Sequence, residues 1–318
     1  MTTTEGASLA DGKAAAGIPG ARRQGDAVAV SPARGRRRPR IASVVATLIM
    51  AILAAYFLLP LVWLLLAATK STSDLFGSGA FTLAHFQLFQ NIAELSTYNS
   101  GYFWSWYGNS VIYSGATALG STLICALAGY ALAKYRFRGQ RIISTSIICS
   151  LVVPAAALAV PTFLLLTKVG LVNSYVGVIL PGLPNAFGAY FLYTYIREAM
   201  PEELIDAGRV DGAGDWRIFF RIALPIIQPG VVTYLLISFI ASWNNFFLPL
   251  LVLNDPSKFP LTLGLNNWLS LTSAASALGQ PPYSQLVTGS LLSVLPMLVL
   301  FPLFRKQIAA GMATGSVK

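Results

Sequence analysis

Six stretches of this sequence contain no charged residue, and each is 19 to 26 residues long. They are residues 43–68, 111–133, 142–167, 176–196, 231–253 and 286–304. At 1.5 Å per residue, a helix of this length covers the apolar core of a bilayer, which is ~30 Å thick. Since 55% of the 318 residues are apolar and only 11% are charged, the sequence predicts an all-α polytopic membrane protein with six transmembrane helices.

The segments around these stretches predict a transmembrane domain with two tails. Residues 1–42 are rich in Ala, Gly, Pro and Arg and lack hydrophobic periodicity, which predicts a disordered basic tail. Residues 43–304 form the transmembrane domain, and residues 305–318 form the C-terminal tail. A cleaved signal peptide is the competing interpretation of the N-terminus, but the first apolar stretch has spanning length rather than signal length.

Lys and Arg residues alternate between the two sides of the predicted spans. Of the 22 Lys and Arg residues, 19 lie in the two tails and in the connections 134–141 and 197–221. The three other connections hold only Lys70, Lys168 and Lys258. Because cytoplasmic segments carry the excess of Lys and Arg, both tails and the 197–221 connection are predicted to be cytoplasmic. This placement suits a chain embedded in a lipid bilayer and argues against a nucleic-acid partner, despite the net charge of +10.

Several kinds of chemistry have no support in the sequence. The apolar stretches contain no Asp, Glu, Lys, Arg or His, whereas ion-coupled carriers place ionisable groups at membrane depth. There is no Gly-rich Walker phosphate loop, and no carboxylate pair or Ser-His-Asp set stands near a span. Cys125, Cys149 and the lone His85 have no companions at ligand spacing, so no metal site is predicted. What remains is a pore-forming subunit that needs energy from another chain.

Residues 197–230 form a charged, amphipathic connection between two apolar stretches. Pro201, followed by Glu202 and Glu203, predicts the start of a short helix, because Pro is tolerated in the first turn and acidic residues suit the N-terminal dipole. Gly208 and Gly212 are predicted to end that helix. A second helix is predicted from about residue 215, with Pro225 and Pro229 ending it. Its apolar residues at helical spacing are Trp216, Phe219, Phe220 and Ala223.

The spacing of this connection resembles the loop of ATP-binding-cassette (ABC) import permeases, whose pattern is Glu-Ala-Ala, three residues, Gly, nine residues, Ile, one residue and Leu-Pro. The matching residues here are Asp206, Ala207, Gly208, Gly212, Ile222, Leu224 and Pro225. Asp replaces Glu and Gly replaces the second Ala, which predicts a weaker first helix. The competing interpretation is an amphipathic loop on lipid headgroups, but such a loop would not require this spacing.

Two further segments resemble the maltose-type sugar permeases of the same family. One is Ser-Trp-Asn-Asn-Phe at 242–246, and the other is the Gly-rich end at 304–318. The resemblance covers nearly the whole chain from residue 43 and implies an importer of a sugar or oligosaccharide. An import permease for a non-carbohydrate solute is the alternative. An ion-coupled carrier and a non-transporting membrane scaffold are less favoured.

The resemblance also implies the partners and the site. The complex would contain a second related permease subunit, a dimeric ABC ATPase and an extracytoplasmic solute-binding protein. ATP and Mg would bind to the ATPase, and this chain would hold no cofactor. The loop 197–230 would dock on the ATPase, with Trp216, Phe219 and Phe220 as apolar anchors, and its movement would tilt the adjoining spans. The residues implied in ATPase coupling are Asp206, Ala207, Gly208, Arg209, Asp211, Gly212, Trp216, Phe219, Phe220, Ile222, Leu224 and Pro225.

Four residues are predicted to line the substrate path, because a sugar needs polar and aromatic lining: Asn185, Trp243, Asn244 and Asn245. The alternative is that these asparagines only bond neighbouring helices. Asn244 and Asn245 would point about 100° apart on one helix, so one should face the cavity and the other should pack against a neighbour.

Aromatic residues are also concentrated outside the predicted spans. Six lie between residues 98 and 107, and Trp268 lies in the connection before the last span. We interpret them as a belt at the membrane interface. A docking surface for an external partner is the alternative.

Overall fold

A computed structural model of the chain describes residues 40–274 and 283–313. The predictions for residues 1–39 and 314–318, which include most of the basic tail and the C-terminal end, lie outside the described residues. The chain divides into two units, Met1–Ala54 and Ala55–Lys318. In the first unit the described residues belong to one helix, and the second unit contains the remaining elements.

The secondary structure of the described residues is helical throughout, which confirms the all-α prediction. A π-helical turn at Phe219–Ala223 joins two of the helices. The α-helices are, in chain order, α1 (Arg40–Ala68), α2 (Thr72–Gly77), α3 (Leu88–Glu94), α4 (Tyr102–Lys134), α5 (Gln140–Ser150), α6 (Ala155–Lys168), α7 (Tyr175–Ile179), α8 (Ala186–Ala199), α9 (Glu203–Val210), α10 (Asp215–Ile218), α11 (Leu224–Trp243), α12 (Phe247–Val252), α13 (Leu261–Ala274) and α14 (Tyr283–Ala313).

Four helical segments of the described residues are by themselves long and apolar enough to cross a membrane. They are Ser43–Ala68, Tyr102–Lys134, Asp215–Trp243 and Tyr283–Arg305. Two helix pairs reach this length only together: α5 and α6 are bent by 108°, and Tyr175–Gly182 is bent by 42° from α8. The described residues thus contain four to six spans, and the count of six stays a prediction.

The predicted fifth span, residues 231–253, is not one helix. α11 ends at Trp243 and α12 begins only at Phe247. In the turn between them, the Asn244 N–H donates to Ile240 O and the Asn245 N–H donates to Ser242 O. The two asparagines therefore do not stand 100° apart on a regular helix.

The start of this helix also differs from the prediction. Pro225 and Pro229 do not end the second short helix, because α10 continues through the π-helical turn into α11. In that turn the Leu224 N–H bonds to Phe219 O, one residue further back than in an α-helix. This local change of bonding lets the helix pass the prolines, which sit in its first turn and just inside it.

Three of the aromatic side chains expected at the membrane interface are core residues. Phe103, Trp106 and Trp268 are fully buried, with ring centroids 5.0 Å apart for Trp106 and Trp268 and 6.0 Å apart for Phe103 and Trp268. The belt interpretation is wrong for them, because α13 forms where an irregular loop was expected and covers the start of α4. The Trp106 Nε1–H donates to Pro256 O at 2.7 Å, which satisfies the buried indole.

Candidate coupling loop and central cavity

The connection between α8 and α11 forms a helical hairpin, which we call the coupling hairpin: α9, a tight turn, α10 and the π-helical turn that follows it. The turn is a Schellman motif, in which the Ala213 N–H donates to Gly208 O and the Gly212 N–H donates to Arg209 O, both at 3.0 Å. Gly212 has a φ of +74°, a conformation that side chains with a Cβ disfavour. The turn predicted at Gly212 is therefore present.

Gly208 has a different role from the one expected. It lies inside α9 rather than ending it, and it is buried against α10 and the π-helical turn. A Cβ on Gly208 would lie 3.0 Å from Ile222 Cδ1 and 3.3 Å from Ile218 Cγ1. Close packing of the two arms of the hairpin thus explains why Gly occupies this position.

The apolar residues of the coupling hairpin divide into exposed and buried ones. Trp216 is 67% exposed and Phe220 is 47% exposed, and their rings stack with centroids 6.1 Å apart. Phe219 is only 2% exposed and packs edge-on against Tyr130, with ring centroids 5.1 Å apart. The prediction that Phe219 is a surface anchor is therefore wrong, since its side chain belongs to the protein core.

Arg209 links the parts of the coupling hairpin to each other. Its guanidinium lies 3.7 Å from an Asp206 oxygen and 3.8 Å from an Asp215 oxygen, so it contacts both α9 and the start of α10. It also lies over the Tyr135 ring, 5.9 Å from the centroid. Such exposed pairs contribute at most about 1 kcal/mol each, so their effect is to orient the hairpin. Burial, and then the nearby Asp215 carboxylate, raise the pKa of the Tyr135 hydroxyl above its ordinary value.

The other residues predicted for ATPase coupling follow the same division. Asp206, Ala207 and Asp211 are exposed, as is Pro225. Ile222 and Leu224 are partly buried and pack on the core beside Phe219. The coupling hairpin thus has an outer surface of charged and apolar side chains and an inner, apolar side that packs against the protein core.

α4 also contacts the coupling hairpin, although it lies far away in sequence. Its last residue, Lys134, donates through Nζ to Met200 O, just before α9. Tyr130, one turn earlier, packs on Phe219 as described above. The hairpin is therefore supported by three long helices: α8 and α11, which flank it, and α4.

A cavity of about 440 Å³ lies between these helices. It is lined by α4, α6, α8, α11 and the segments around α7 and α12 and is partly open to the surface, and none of its lining residues is charged. The polar residues that line it are Thr117, Thr162, Asn185, Tyr234, Ser238, Ser242 and Asn245. A space of this size and polarity can hold a small uncharged solute.

The four predicted path residues occupy different places. Asn185 and Asn245 line the large cavity, whereas Trp243 and Asn244 line a separate pocket of about 140 Å³ between α11, α13 and α14. Asn185 caps α8, because its Oδ1 accepts from the Gly188 N–H at 2.9 Å. The Asn244 amide donates to Ile240 O at 2.8 Å, and the buried Trp243 indole donates to Ser293 O at 3.2 Å.

Asn245 is the exception among these four residues. Within the described part of the chain its side-chain amide makes no hydrogen bond, while its backbone carbonyl accepts from Thr262 Oγ1 at 2.9 Å. The backbone of Asn245 is thus held in place, and its amide is free to bond a molecule in the cavity.

Helices α8 and α11 pack tightly against each other through two tyrosines and two glycines, and one of these tyrosines, Tyr234, lines the cavity. The Tyr234 ring of α11 covers Gly188 of α8, and the Tyr195 ring of α8 covers Gly230 of α11. A Cβ on Gly230 would lie 2.6 Å from Tyr195 Cδ1, and a Cβ on Gly188 would overlap the Tyr234 ring. The Tyr234 hydroxyl also bonds Ser121 of α4 at 2.8 Å. The three helices that support the hairpin, α4, α8 and α11, are thus joined at Tyr234, which forms part of the cavity wall.

The sequence of this chain matches a known protein family over much of its length. A sequence model of the family described as "Binding-protein-dependent transport system inner membrane component" matches residues 125–313, which is more than half of the chain. The chain belongs to this family. This confirms the resemblance drawn from the loop spacing and identifies a permease subunit of an ABC importer. It also sets aside the ion-coupled carrier and the membrane scaffold.

Curated relatives of this permease align over nearly their whole length. The arabinooligosaccharides transport system permease protein AraQ of Halalkalibacterium halodurans is 33% identical over 290 residues, which are 89% of this chain and 99% of that protein. The lactose transport system permease protein LacG of Rhizobium radiobacter is 33% identical over 282 residues, 88% and 98% of the two chains. The diacetylchitobiose uptake system permease protein NgcG of Streptomyces coelicolor is 31% identical over 264 residues, 82% and 84% of the two chains.

A solved structure shows the same fold as this permease. It is a bacterial ABC transporter involved in the import of the acidic polysaccharide alginate, and one of its chains has a TM-score of 0.73 and 22% sequence identity. The match covers 87% of this chain and 99% of that chain.

Sequence reasoning missed the residues at the end of α4 and directly after it that support the coupling hairpin of this permease. Tyr130, Lys134 and Tyr135 lie at the end of an apolar stretch, and nothing in their spacing points to a loop that follows some 70 residues later. The only available signal was that Lys134 and the hairpin both belong to connections with excess positive charge. Tyr234 was missed because its neighbours are apolar and it was counted within a span.

Proposed function

We propose that this permease imports a sugar or oligosaccharide into the cytoplasm and that ATP hydrolysis on a partner ATPase drives the transport. The observation that carries the proposal is the continuity of α10 and α11, which run from the exposed coupling hairpin to the cavity that contains Asn245. The names of the relatives above favour saccharides as the solute class. The absence of charge among the cavity residues agrees with an uncharged solute.

The proposed complex contains this chain, a second related permease subunit, a dimeric ABC ATPase and an extracytoplasmic solute-binding protein. ATP and Mg bind to the ATPase, and this chain holds no cofactor. A second permease is supported by the large apolar residues that α6 and its approach expose beside the cavity, such as Val152 at 83% and Leu165 at 65%. The alternation of Lys and Arg supports cytoplasmic termini and a cytoplasmic hairpin.

Transport follows from how the coupling hairpin is attached. Closure of the ATPase dimer on ATP displaces the hairpin, which contacts the ATPase through Trp216 and Phe220, with Arg217 and Arg221 at the rim. Because α8 and α11 interlock through Tyr234 and its partners, they tilt together and change the side to which the cavity opens. The solute undergoes no covalent chemistry, and its hydroxyls exchange hydrogen bonds with side chains such as Asn245.

The proposal is tested by deleting the gene and measuring the accumulation of radiolabelled arabinooligosaccharides, lactose and diacetylchitobiose. At least one of these sugars should fail to accumulate. Uptake should return when this chain is expressed in the deletion strain, and it should not return when the gene for the ATPase is deleted as well, since the sequence contains no Walker phosphate loop. Normal uptake of all sugars together with loss of a phosphorylated or peptide solute would overturn the sugar assignment.

The two asparagines at the end of α11 are expected to respond differently to substitution. Asn245→Ala should weaken sugar uptake about tenfold, because the loss of a buried hydrogen-bonding group costs about 1 to 3 kcal/mol. The complex should assemble at its normal level, since the amide has no partner in the described protein. Asn244→Ala is the matched control: it removes a bond to the same helix and should leave the uptake KM unchanged. Equal uptake kinetics for Asn245→Ala and the parent would remove this residue from the path.

The turn of the coupling hairpin gives a second test. Gly212→Val should leave the permease inserted but uncouple ATP hydrolysis from transport, because a β-branched residue at φ +74° costs about 1 to 2 kcal/mol or more. Among the described residues, apart from its two chain neighbours, no atom lies within 4 Å of the added Cβ, so the effect arises from the backbone and from the proposed contact with the ATPase. Transport and ATPase rates of the reconstituted complex measure the coupling.

Two controls isolate the backbone effect. Gly214 also has open space around it, but its φ is −71°, and Ser is a preferred residue at this N-cap position. Gly214→Ser should therefore transport normally. Gly212→Asn should retain most activity, because Asn tolerates the left-handed region. Normal coupling in Gly212→Val would show that the turn geometry is not needed.

A further inference from the structure

The connection between α1 and α4 exposes a group of large apolar side chains, which we call the aromatic platform (residues 72–94, including α2 and α3). Its exposed members are Phe76, Phe81, Leu83, Phe86 and Phe89, and each is between 53% and 76% exposed. The platform has few charges: Asp74 and His85 lie 3.9 Å from each other, and Glu94 accepts from Gln285 Nε2 at 2.7 Å. Exposed apolar surface of this density needs a covering phase or partner.

The platform is fixed at the ends of two apolar spans. Asn91 of α3 donates to Ala68 O at 2.9 Å, at the last residue of α1. Thr72 of α2 donates to Ser284 Oγ at 3.2 Å, and the Phe76 ring packs on Tyr283 with centroids 4.9 Å apart. Since α1 ends and α14 begins at these residues, the platform lies at the level where apolar spans leave the bilayer.

The platform is also held internally. Lys70 is 1% exposed, and its ammonium donates to Ser78 Oγ at 2.9 Å and to Gly79 O at 2.7 Å. The buried ammonium therefore fixes the segment that follows α2. The exposure of the apolar side chains is a property of an ordered surface, because their backbone is tied on both sides.

The exposed apolar surface of α1 continues to within a few residues of the platform. Leu61 and Leu65 of that helix are 37% and 51% exposed, as expected for residues that face lipid. A protein-docking surface has a polar rim with hydrogen-bonding groups around its apolar centre. On the platform the only exposed basic group is His85, and it stands beside Asp74.

We propose that the aromatic platform rests in the boundary between headgroups and acyl chains of the bilayer, with Phe81, Leu83, Phe86 and Phe89 inserted. Aromatic and aliphatic side chains are stable at this depth, because their apolar atoms are buried among acyl chains while the backbone polar groups remain hydrated. Because the platform has no free Lys or Arg among its described residues, insertion depends on apolar contact and not on anionic lipid. The platform would anchor the ends of α1 and α14 while other helices tilt.

The assembled complex in proteoliposomes provides the test, without the solute-binding protein. In a Cys149→Ser background, which leaves only the buried Cys125, nitroxide labels are placed at Leu83, Phe86 and Phe89. Collisions with oxygen should exceed collisions with a water-soluble nickel chelate at these sites. Asn254 on the connection between α12 and α13, which is exposed and lies outside the coupling hairpin, is the matched control and should show the reverse order. At the platform sites, collisions with oxygen should exceed collisions with the nickel chelate in both zwitterionic and anionic vesicles.

Two outcomes overturn the proposal. One is preferential collision with the nickel chelate at all three platform sites. The other is shielding of these sites only after the solute-binding protein is added, which would make the platform a protein-docking face. If labelling prevents assembly, a photoactivatable acyl-chain lipid applied to the unmodified complex should label peptides from 79–90, and the absence of such label also overturns it. None of these readouts depends on which solute is transported.

Discussion

Phe219→Ala is expected to lower the stability of the permease by about 3 to 5 kcal/mol, the usual cost of deleting a buried aromatic ring. Phe219 is 2% exposed and fills the junction between the coupling hairpin and α4, where it contacts Tyr130. Its loss leaves a cavity at the point where three long helices meet. The expected result is a large fall in the yield and in the melting temperature of the detergent-solubilised complex.

The neighbouring residue provides the matched control. Phe220→Ala removes the same ring from a side chain that is 47% exposed and stacks only on Trp216 and the edge of Phe219. Its melting temperature should change little, whereas transport per ATP hydrolysed should fall because the surface that meets the ATPase is reduced. Equal loss of stability in the two variants would contradict the division of the hairpin into core and contact surface.

Gly188→Ala is expected to disrupt the packing of α8 on α11 by about 1 to 3 kcal/mol or more, the cost of overpacking a tight core. The added methyl group would overlap the Tyr234 ring. Withdrawal of that ring would break a buried hydrogen bond, because its hydroxyl bonds Ser121 at 2.8 Å. Loss of assembled complex, measured by size-exclusion chromatography, is the expected result.

Two further variants identify the cause. Gly115→Ala in α4 has no atom within 4 Å of the new Cβ, so it should be neutral or slightly stabilising, because Ala favours a helix over Gly by about 1 kcal/mol. Gly188→Ala combined with Tyr234→Leu should recover part of the lost stability, since Leu is too short to reach the added methyl group. A purely additive double variant would show that the two residues do not oppose each other.

In the proposed mechanism, the interlock of α8 and α11 transmits a displacement of the coupling hairpin to the helices that line the cavity. Tyr234 and Tyr195 each cover a glycine on the facing helix, so sliding or separation of the two helices would require both contacts to break. A close-packed interface of this kind moves as a unit and does not deform gradually. In the proposed mechanism, a force applied at Trp216 and Phe220 would therefore reach Asn185 and Asn245 through helices that move together.

The sequence by itself determined the fold class and the family. Long runs without charge favour a lipid bilayer, where a helix satisfies its own backbone groups. The two tails and alternate connections hold 19 of the 22 basic residues, which predicts an orientation before any packing is known. The loop spacing was likewise readable, because the turn at Gly212 is set by local backbone geometry, which one glycine at one position is enough to predict.

Only the tertiary structure decided the role of adjacent residues. Phe219 and Phe220 have the same side chain, yet Phe219 is buried and Phe220 is 47% exposed. Asn244 and Asn245 have the same amide, yet Asn244 bonds its own helix and Asn245 lines the cavity. In the same way, Trp106 and Trp268 became core residues only because α13 packs over the start of α4. Composition and periodicity are properties of a segment, whereas the choice between neighbours depends on what lies opposite each side chain. Such contacts can join residues far apart in the sequence, as Tyr130 and Phe219 show.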